Sequence, residues 1–208
     1  LSSIGARRDA GAVPALKPLA SDGDPATAAA ARQALANIAD AAAVQALSET
    51  KSASEALLKA ADNLQERGKR TAATDVYRKL FVSNEAPVVR AGALHGLILL
   101  DPNAAEVGQA LRGSDPRLQT MAIRALAERS PDSLAAEFAK LPEVGRVRVL
   151  EVLGEARRPS PVMRSALSDA SPAVRVAALD ALGAVGDATA ISTVAALAVK
   201  EGVERPAA

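Results

Sequence analysis

Apolar and polar positions repeat along this chain at intervals of 27 to 33 residues. Three segments align without gaps around a proline, a fourth follows the same frame, and two weaker copies have another residue at the proline position. We call this position the anchor and count later positions from it; the six anchors are Pro25, Ser54, Pro87, Pro116, Glu143 and Pro172. A leucine occupies position +10 in all six copies: Leu35, Leu64, Leu97, Leu126, Leu153 and Leu182. Such a repeat predicts stacked supersecondary units that share one hydrophobic core.

Each copy predicts an α-helix that begins at its anchor. A proline is tolerated in the first turn because its missing N–H would have no partner there. Asp24, Asp115 and Ser171 each precede an anchor proline, where their side chains can cap the helix. A shorter apolar stretch lies between successive copies and is bounded by Gly or Asp turns, which predicts a second helix. The repeated unit is therefore a helix, a tight turn and a helix.

The repeat resembles the HEAT repeat family, including the short bacterial form that is similar to bilin-lyase HEAT-like repeats. The resemblance lies in the Asp-Pro-x-x-Val-Arg start, the Ala-Leu centre and the Gly-Asp turn at Gly186 and Asp187. It implies an all-α fold, a right-handed α–α superhelix of the HEAT-type α-solenoid class. We expect a single domain over residues 1–208 with about six hairpins. Because the chain starts at Leu1 without Met, we also expect it to be a fragment of a longer chain.

One hairpin departs from this pattern. Residues 54–85 resemble a tetratricopeptide hairpin, with Gly68, Ala73 and Tyr77 at the spacing of that family. The alternative is a HEAT hairpin with longer helices. Both interpretations continue the stack of hairpins.

A turn of 100° per residue separates two faces of each anchor helix. Positions +2, +6, +9, +10 and +13 share the predicted core side; in the last copy these are Val174, Ala178, Ala181, Leu182 and Val185. Positions +1, +5, +8 and +12 lie opposite, and the resemblance implies that this side lines the concave surface. We expect a partner to bind there, through Gln33, Lys59, Asp62, Glu66, His95, Arg117, Arg124, Glu128, Arg148, Glu151, Glu155 and Asp180.

The charge of this face indicates the class of partner. Acidic residues outnumber basic ones on it, and the whole chain has a formal charge of only +1. Proteins that hold nucleic acid through its phosphates need a positive excess, so nucleic acid is not expected. A protein or peptide partner fits better. No stretch approaches the roughly 20 apolar residues of a membrane span, so we expect no membrane insertion.

The arginines at +3 have a different predicted role. Arg90, Arg146 and Arg175 lie beside the +10 leucine on the same wheel. We expect each stem to be packed and each guanidinium to bond a carboxylate or carbonyl of the neighbouring turn.

The residues needed for catalysis are missing from the pattern. The chain has one histidine, His95, and no cysteine, so we expect no histidine or cysteine metal site and no cofactor. No nucleophile elbow or phosphate-binding glycine loop occurs, and we expect a non-enzymatic binding scaffold. Two alternatives remain: a bilin-lyase-like enzyme subunit, with Val88, Leu99 and Met121 walling a pocket around His95, and a structural spacer within a larger protein.

Overall fold

The computed structural model describes residues 2–186, with side chains from Gly5 onward. The chain divides into two units, Leu1–Glu106 and Val107–Ala208. The helices of unit one are α1 (Ser2–Arg7), α2 (Val13–Leu19), α3 (Pro25–Ile38), α4 (Ala41–Glu49), α5 (Ser54–Glu66), α6 (Arg70–Val82) and α7 (Pro87–Leu100). Helix α8 (Ala105–Arg112) contains the boundary, and unit two continues with α9 (Pro116–Arg129), α10 (Pro131–Phe138), α11 (Glu143–Glu155), α12 (Pro161–Ser165) and α13 (Pro172–Val185). The predicted Asp187 of the Gly-Asp turn lies outside the described residues.

Every predicted anchor is the first residue of a helix. Helices α3, α5, α7, α9, α11 and α13 begin at the six anchors. The three predicted caps are also confirmed: Asp24 accepts a hydrogen bond from the Thr27 N–H at 2.9 Å, Asp115 from the Arg117 N–H at 3.0 Å, and Ser171 from the Val174 N–H at 3.4 Å. The hydrogen bonds from Thr27 hold the pKa of the Asp24 carboxyl below its usual value. A side-chain cap thus fixes the helix start in three of the six repeats, whereas α5, α7 and α11 begin without one.

Each unit contains a layer of anchor helices. In unit one α3 packs on α5 and α5 on α7, while α2 packs on α4 in a second layer. In unit two α9 packs on α11 and α11 on α13, while α10 packs on α12. Within residues 2–186 the regular elements are all helical. The expected all-α class, with hairpins stacked as in an α-solenoid, is confirmed; a single domain over residues 1–208 stays a prediction.

The +10 leucines lie in the core of their units. Their exposed fractions run from 0% to 3%: Leu35, Leu64, Leu97, Leu126, Leu153 and Leu182. In the last anchor helix Val174, Ala178 and Ala181 are buried as predicted, and Val185 is partly exposed. Burial of the recurring leucine is what makes neighbouring hairpins of a unit adhere.

The hairpin α5–α6 is packed on α7 through Tyr77. This side chain is 1% exposed, and its hydroxyl donates to Asp62 at 2.8 Å and to Gln65 at 3.0 Å. Its ring lies against Gly96 of α7, where an added Cβ would be 2.3 Å from the tyrosine Cζ. Gly68 forms the turn of the hairpin at φ 72°. Two of the residues that carry the tetratricopeptide resemblance therefore have clear packing or turn roles, and the assignment to that family stays a prediction.

The arginines at +3 bond to groups of the neighbouring loops, as the sequence predicts. The Arg90 Nε donates to the Phe81 carbonyl at 3.1 Å, and its guanidinium lies 5.8 Å from the centre of the Phe81 ring. Arg146 pairs with Asp169 at 3.1 Å, and Arg175 donates to the Asp169 carbonyl at 3.0 Å. These bonds satisfy groups of the loop that precedes or follows each helix.

A glutamine performs the same task in one of the three copies that lack an arginine at +3. Gln119, at +3 of α9, donates its side-chain amide to the Gly113 carbonyl at 2.6 Å and to the Leu111 carbonyl at 3.3 Å. The sequence pattern did not indicate this residue, because the pattern was drawn from the arginines alone.

Position +14, just after the anchor helix, adopts the left-handed conformation in four copies. The φ values are 47°, 72°, 48° and 72° for Ala39, Gly68, Arg157 and Gly186. Around Arg157 the backbone forms a Schellman motif: the Arg158 N–H donates to the Leu153 carbonyl at 3.0 Å and the Arg157 N–H to the Gly154 carbonyl at 2.9 Å. Glycine is the usual residue here, so Ala39 and Arg157 hold a conformation that is costly for their side chains.

Candidate functional site

The residues predicted to face a partner are at the surface of the anchor helices. Asp62 and Arg148 are partly exposed, and the other ten are exposed. We call the exposed side of α3, α5 and α7 the anchor face of unit one, and that of α9, α11 and α13 the anchor face of unit two. Accessibility is necessary for a binding role, and the role itself stays a prediction.

The anchor face of unit one carries Gln33, Lys59, Asp62, Glu66 and His95. The Gln33 amide donates to Asn37 one turn away at 3.0 Å. Asp62 accepts the hydroxyl hydrogen bond of the buried Tyr77, so it supports the α5–α6 packing. Within the described residues Lys59, Glu66 and His95 make no side-chain hydrogen bond or ion pair, and their polar groups are open to solvent.

Charges on the anchor face of unit two shift from mostly basic on α9, through both signs on α11, to acidic on α13. Helix α9 presents Arg117 and Arg124, which form no ion pair among the described residues. Arg148 of α11 joins the two helices, because it donates to Thr120 of α9 at 3.1 Å and to Glu151 at 3.3 Å.

Towards the ends of these helices, Glu128 of α9 is paired with Arg158 at 3.5 Å. The remaining predicted residues of this face, Glu155 of α11 and Asp180 of α13, are both acidic. Apart from Glu128, which is paired, the basic side chains of this face thus lie on α9 and in the middle of α11, and the acidic ones lie further along α11 and on α13.

A groove of about 730 Å³ lies between α11 and α13. Its volume falls within the roughly 300–1,000 Å³ typical of ligand pockets. Most of its surface is apolar, and three predicted partner-binding acids stand among its lining residues: Glu151, Glu155 and Asp180. We call it the α11–α13 groove; its apolar lining is Val147, Leu150, Gly154, Ala173, Val176, Ala177, Ala181 and Ala184.

Small side chains explain why a groove forms at this place. An added Cβ at Gly154 of α11 would lie 3.1 Å from the Ala181 Cα of α13, so the two helices approach closely there. The outward residues of α13 are short, and Val176 is 57% exposed. Nothing longer on α13 fills the space beside the contact, which leaves an accessible apolar floor.

Two of the groove acids have no partner among the described residues. Glu155 is the last residue of α11, where the negative end of the helix dipole disfavours a carboxylate. Asp180 lies inside α13, and aspartate is a poor residue for a helix interior. Neither carboxylate therefore helps its own helix, and both remain available to a partner.

The helical-wheel positions predicted the acids of the groove but not its apolar floor. Val147 and Val176 both stand at +4, a position that was not assigned to the exposed side. A valine at this position in two successive copies was the available signal. The anchor face of unit two is therefore partly apolar.

Unit one has a second groove in its other layer. It measures about 600 Å³ and lies between α4 and α6 over an apolar floor that includes Val44, Leu64 and Val76. Its charged lining residues are of both signs: Asp40, Glu49, Lys69, Asp75 and Lys79. The mixed signs do not select a class of partner.

The expected pocket around His95 is not supported by the position of Val88. This valine is 68% exposed, so it does not wall an enclosed cavity. Leu99 and Met121 are partly exposed. In the described part of the chain, no group of three or more His, Cys, Asp or Glu side chains is placed to hold a metal ion. No helix among residues 2–186 has the length and hydropathy needed to cross a membrane.

Comparison with known proteins supports the family resemblance. Residues 134–208 match the family described as HEAT repeats. No curated protein shows significant similarity to the chain. The matched range contains α11 and α13, and with them the whole α11–α13 groove. The α5–α6 hairpin lies outside the matched range.

Proposed function

We propose, from the premise that this chain carries HEAT repeats, that it is a non-enzymatic scaffold that binds a protein or peptide through its anchor faces. HEAT repeats generally serve protein–protein interaction. The observation that carries the proposal is the set of exposed side chains that the fold does not use. On the anchor face of unit two these are Arg117, Arg124, Glu155 and Asp180.

Rigid helices hold these side chains in fixed register. Recognition would then depend on shape and on the change from mostly basic residues on α9 to acidic residues on α13. The sign change disfavours a uniformly charged polymer such as nucleic acid, whose phosphates the acids of α11 and α13 would repel. A folded protein or a peptide can offer charges of both signs.

The buried aromatic residues predict modest affinity. The chain has three aromatic residues, and all are in the core: Tyr77, Phe81 and Phe138 are 1%, 3% and 7% exposed. Tryptophan, tyrosine and arginine supply most interface hot spots, so arginine is the remaining candidate. Arg124 stands at +8 of α9, exposed and free of ion pairs in the described residues.

Affinity capture with quantitative mass spectrometry tests the proposal. Wild type, Arg124→Glu and Lys140→Glu would be compared as baits. Lys140 is the control, because it follows α10 in the other layer of unit two, its side chain is 61% exposed, and its only ion pair among the described residues is to Glu137. We expect proteins that wild type and Lys140→Glu retain and Arg124→Glu loses. An identical set on all three baits would refute a role for this face.

The lyase-subunit alternative makes a different prediction. Such a subunit would shift the absorption spectrum of a linear tetrapyrrole on mixing. The scaffold proposal expects the spectrum of the free pigment to stay unchanged. A shift that saturates with protein concentration would contradict the scaffold proposal.

A further inference from the structure

We propose that the α11–α13 groove binds a basic segment of a partner protein, with an apolar side chain in the groove and Arg or Lys beside it. This inference rests on the proposed function and adds the chemistry of the partner. Three observations support it: the apolar floor, the acids at its edge, and the lack of an ion-pair partner for Glu155 and Asp180 among the described residues.

The floor requires an apolar occupant. Val176 exposes 57% of its surface within a groove of about 730 Å³, and most of the other lining residues are alanine, glycine or aliphatic. An apolar side chain placed there removes both surfaces from water. A polar side chain would lose its hydration over a floor that offers few hydrogen-bond partners.

The acids at the edge of the groove favour a positively charged side chain on the partner. Glu151, Glu155 and Asp180 line the groove, and no lysine, arginine or histidine among residues 2–186 does so. Arg148 neutralises part of Glu151 from outside the groove at 3.3 Å. Glu155 and Asp180 have no ion-pair partner among the described residues. Complementary charge therefore favours Arg or Lys on both sides of the apolar residue.

A random peptide library, displayed and selected on the full chain, tests this inference. We expect the enriched peptides to combine a central apolar residue with flanking Arg or Lys, and to bind more weakly as salt is raised. Enrichment of acidic or neutral peptides would overturn the inference, and so would the enrichment of none.

Fluorescence polarisation of an enriched peptide then locates the site. Val176→Asn should weaken binding about tenfold, since it replaces the exposed apolar floor by a polar amide without adding charge. Val144→Asn is the matched control: it makes the same change on α11, at a valine that is 78% exposed and outside the groove, and should leave affinity unchanged. Reversal of both unpaired acids, Glu155→Lys with Asp180→Lys, should weaken binding about tenfold.

These variants distinguish a failure of the groove inference from a failure of the proposed function. If a ligand is lost with Arg124→Glu but binds Val176→Asn as it binds wild type, the anchor face works as proposed and the groove inference is wrong. If size-exclusion chromatography shows self-association that Val176→Asn abolishes and no peptide competes, a second copy occupies the groove and the inference is again wrong. Circular dichroism of each variant verifies that the fold is kept.

Discussion

Replacing Gly96 with alanine is expected to destabilise unit one, although alanine is the better helix former. The new Cβ would lie 2.3 Å from Cζ and 2.5 Å from Cε1 of Tyr77. Ordinary carbon contacts are about 3.5–4.0 Å, so the ring or the helix must move by more than about 1 Å. The ring cannot tilt freely, because its hydroxyl bonds Asp62 and Gln65. Overpacking costs about 3 kcal/mol and alanine returns about 1 kcal/mol, which leaves a net loss of about 2 kcal/mol.

Urea unfolding followed by circular dichroism measures this loss. Gly183→Ala is the matched control, because Gly183 also lies in an anchor helix and an added Cβ there meets nothing within 4 Å. We expect that control to gain up to about 1 kcal/mol. If both variants gain stability alike, the packing of Tyr77 on Gly96 does not limit this position and the reasoning is wrong.

Three further results are expected from this structure. Arg157→Gly should raise the free energy of unfolding in urea by about 1 kcal/mol, because φ is 48° at this residue. Gly186→Ala, at φ 72°, should lower it by a similar amount. A loss of stability in Arg157→Gly would show that the position is not strained. Burial, and then the hydrogen bond to Asp62, raise the pKa of Tyr77, the only tyrosine, so tyrosinate absorbance should appear at higher pH in the folded chain than in urea. Its contribution to stability should be complete below pH about 10 and be lost as pH rises through the folded pKa; equal midpoints in both states would contradict this. Leu126→Ala should cost about 2.7–5 kcal/mol of unfolding free energy, while Val144→Ala, at a side chain 78% exposed, should change it by less than about 0.5 kcal/mol; similar values for the two would contradict the assigned core.

The left-handed positions show which helix ends residue type alone predicts and which it does not. Gly68 and Gly186 mark two helix ends by their type, and these ends are at φ 72°. Ala39 and Arg157 take the same backbone conformation at the same place in the repeat, although neither residue favours it. The repeat frame, rather than the residue type, indicates these two. In the other two copies, position +14 is Asp101 and Ser130, with φ of −151° and −152°. The repeat frame alone does not distinguish these extended helix ends from the left-handed ones.

The surface residues illustrate a different limit. The helical wheel correctly placed Arg124, Glu155 and Asp180 at the surface, because exposure follows from the direction of a side chain on one helix. It could not show that Asp62 bonds Tyr77, since these residues belong to different helices. Nor could it show the apolar floor, which α11 and α13 build together.

The sequence by itself determined the helical hairpins, their starts at the anchors, the capping residues and the buried leucine at +10. These features depend on groups within one or two turns of the chain: a proline without N–H, a side-chain oxygen near free backbone donors, and an apolar stripe of period 3.6. Only the tertiary structure decided where Tyr77 meets Gly96 and where a groove opens between α11 and α13. Both depend on how closely two helices approach, and that distance is set by the sizes of side chains that are far apart in the chain.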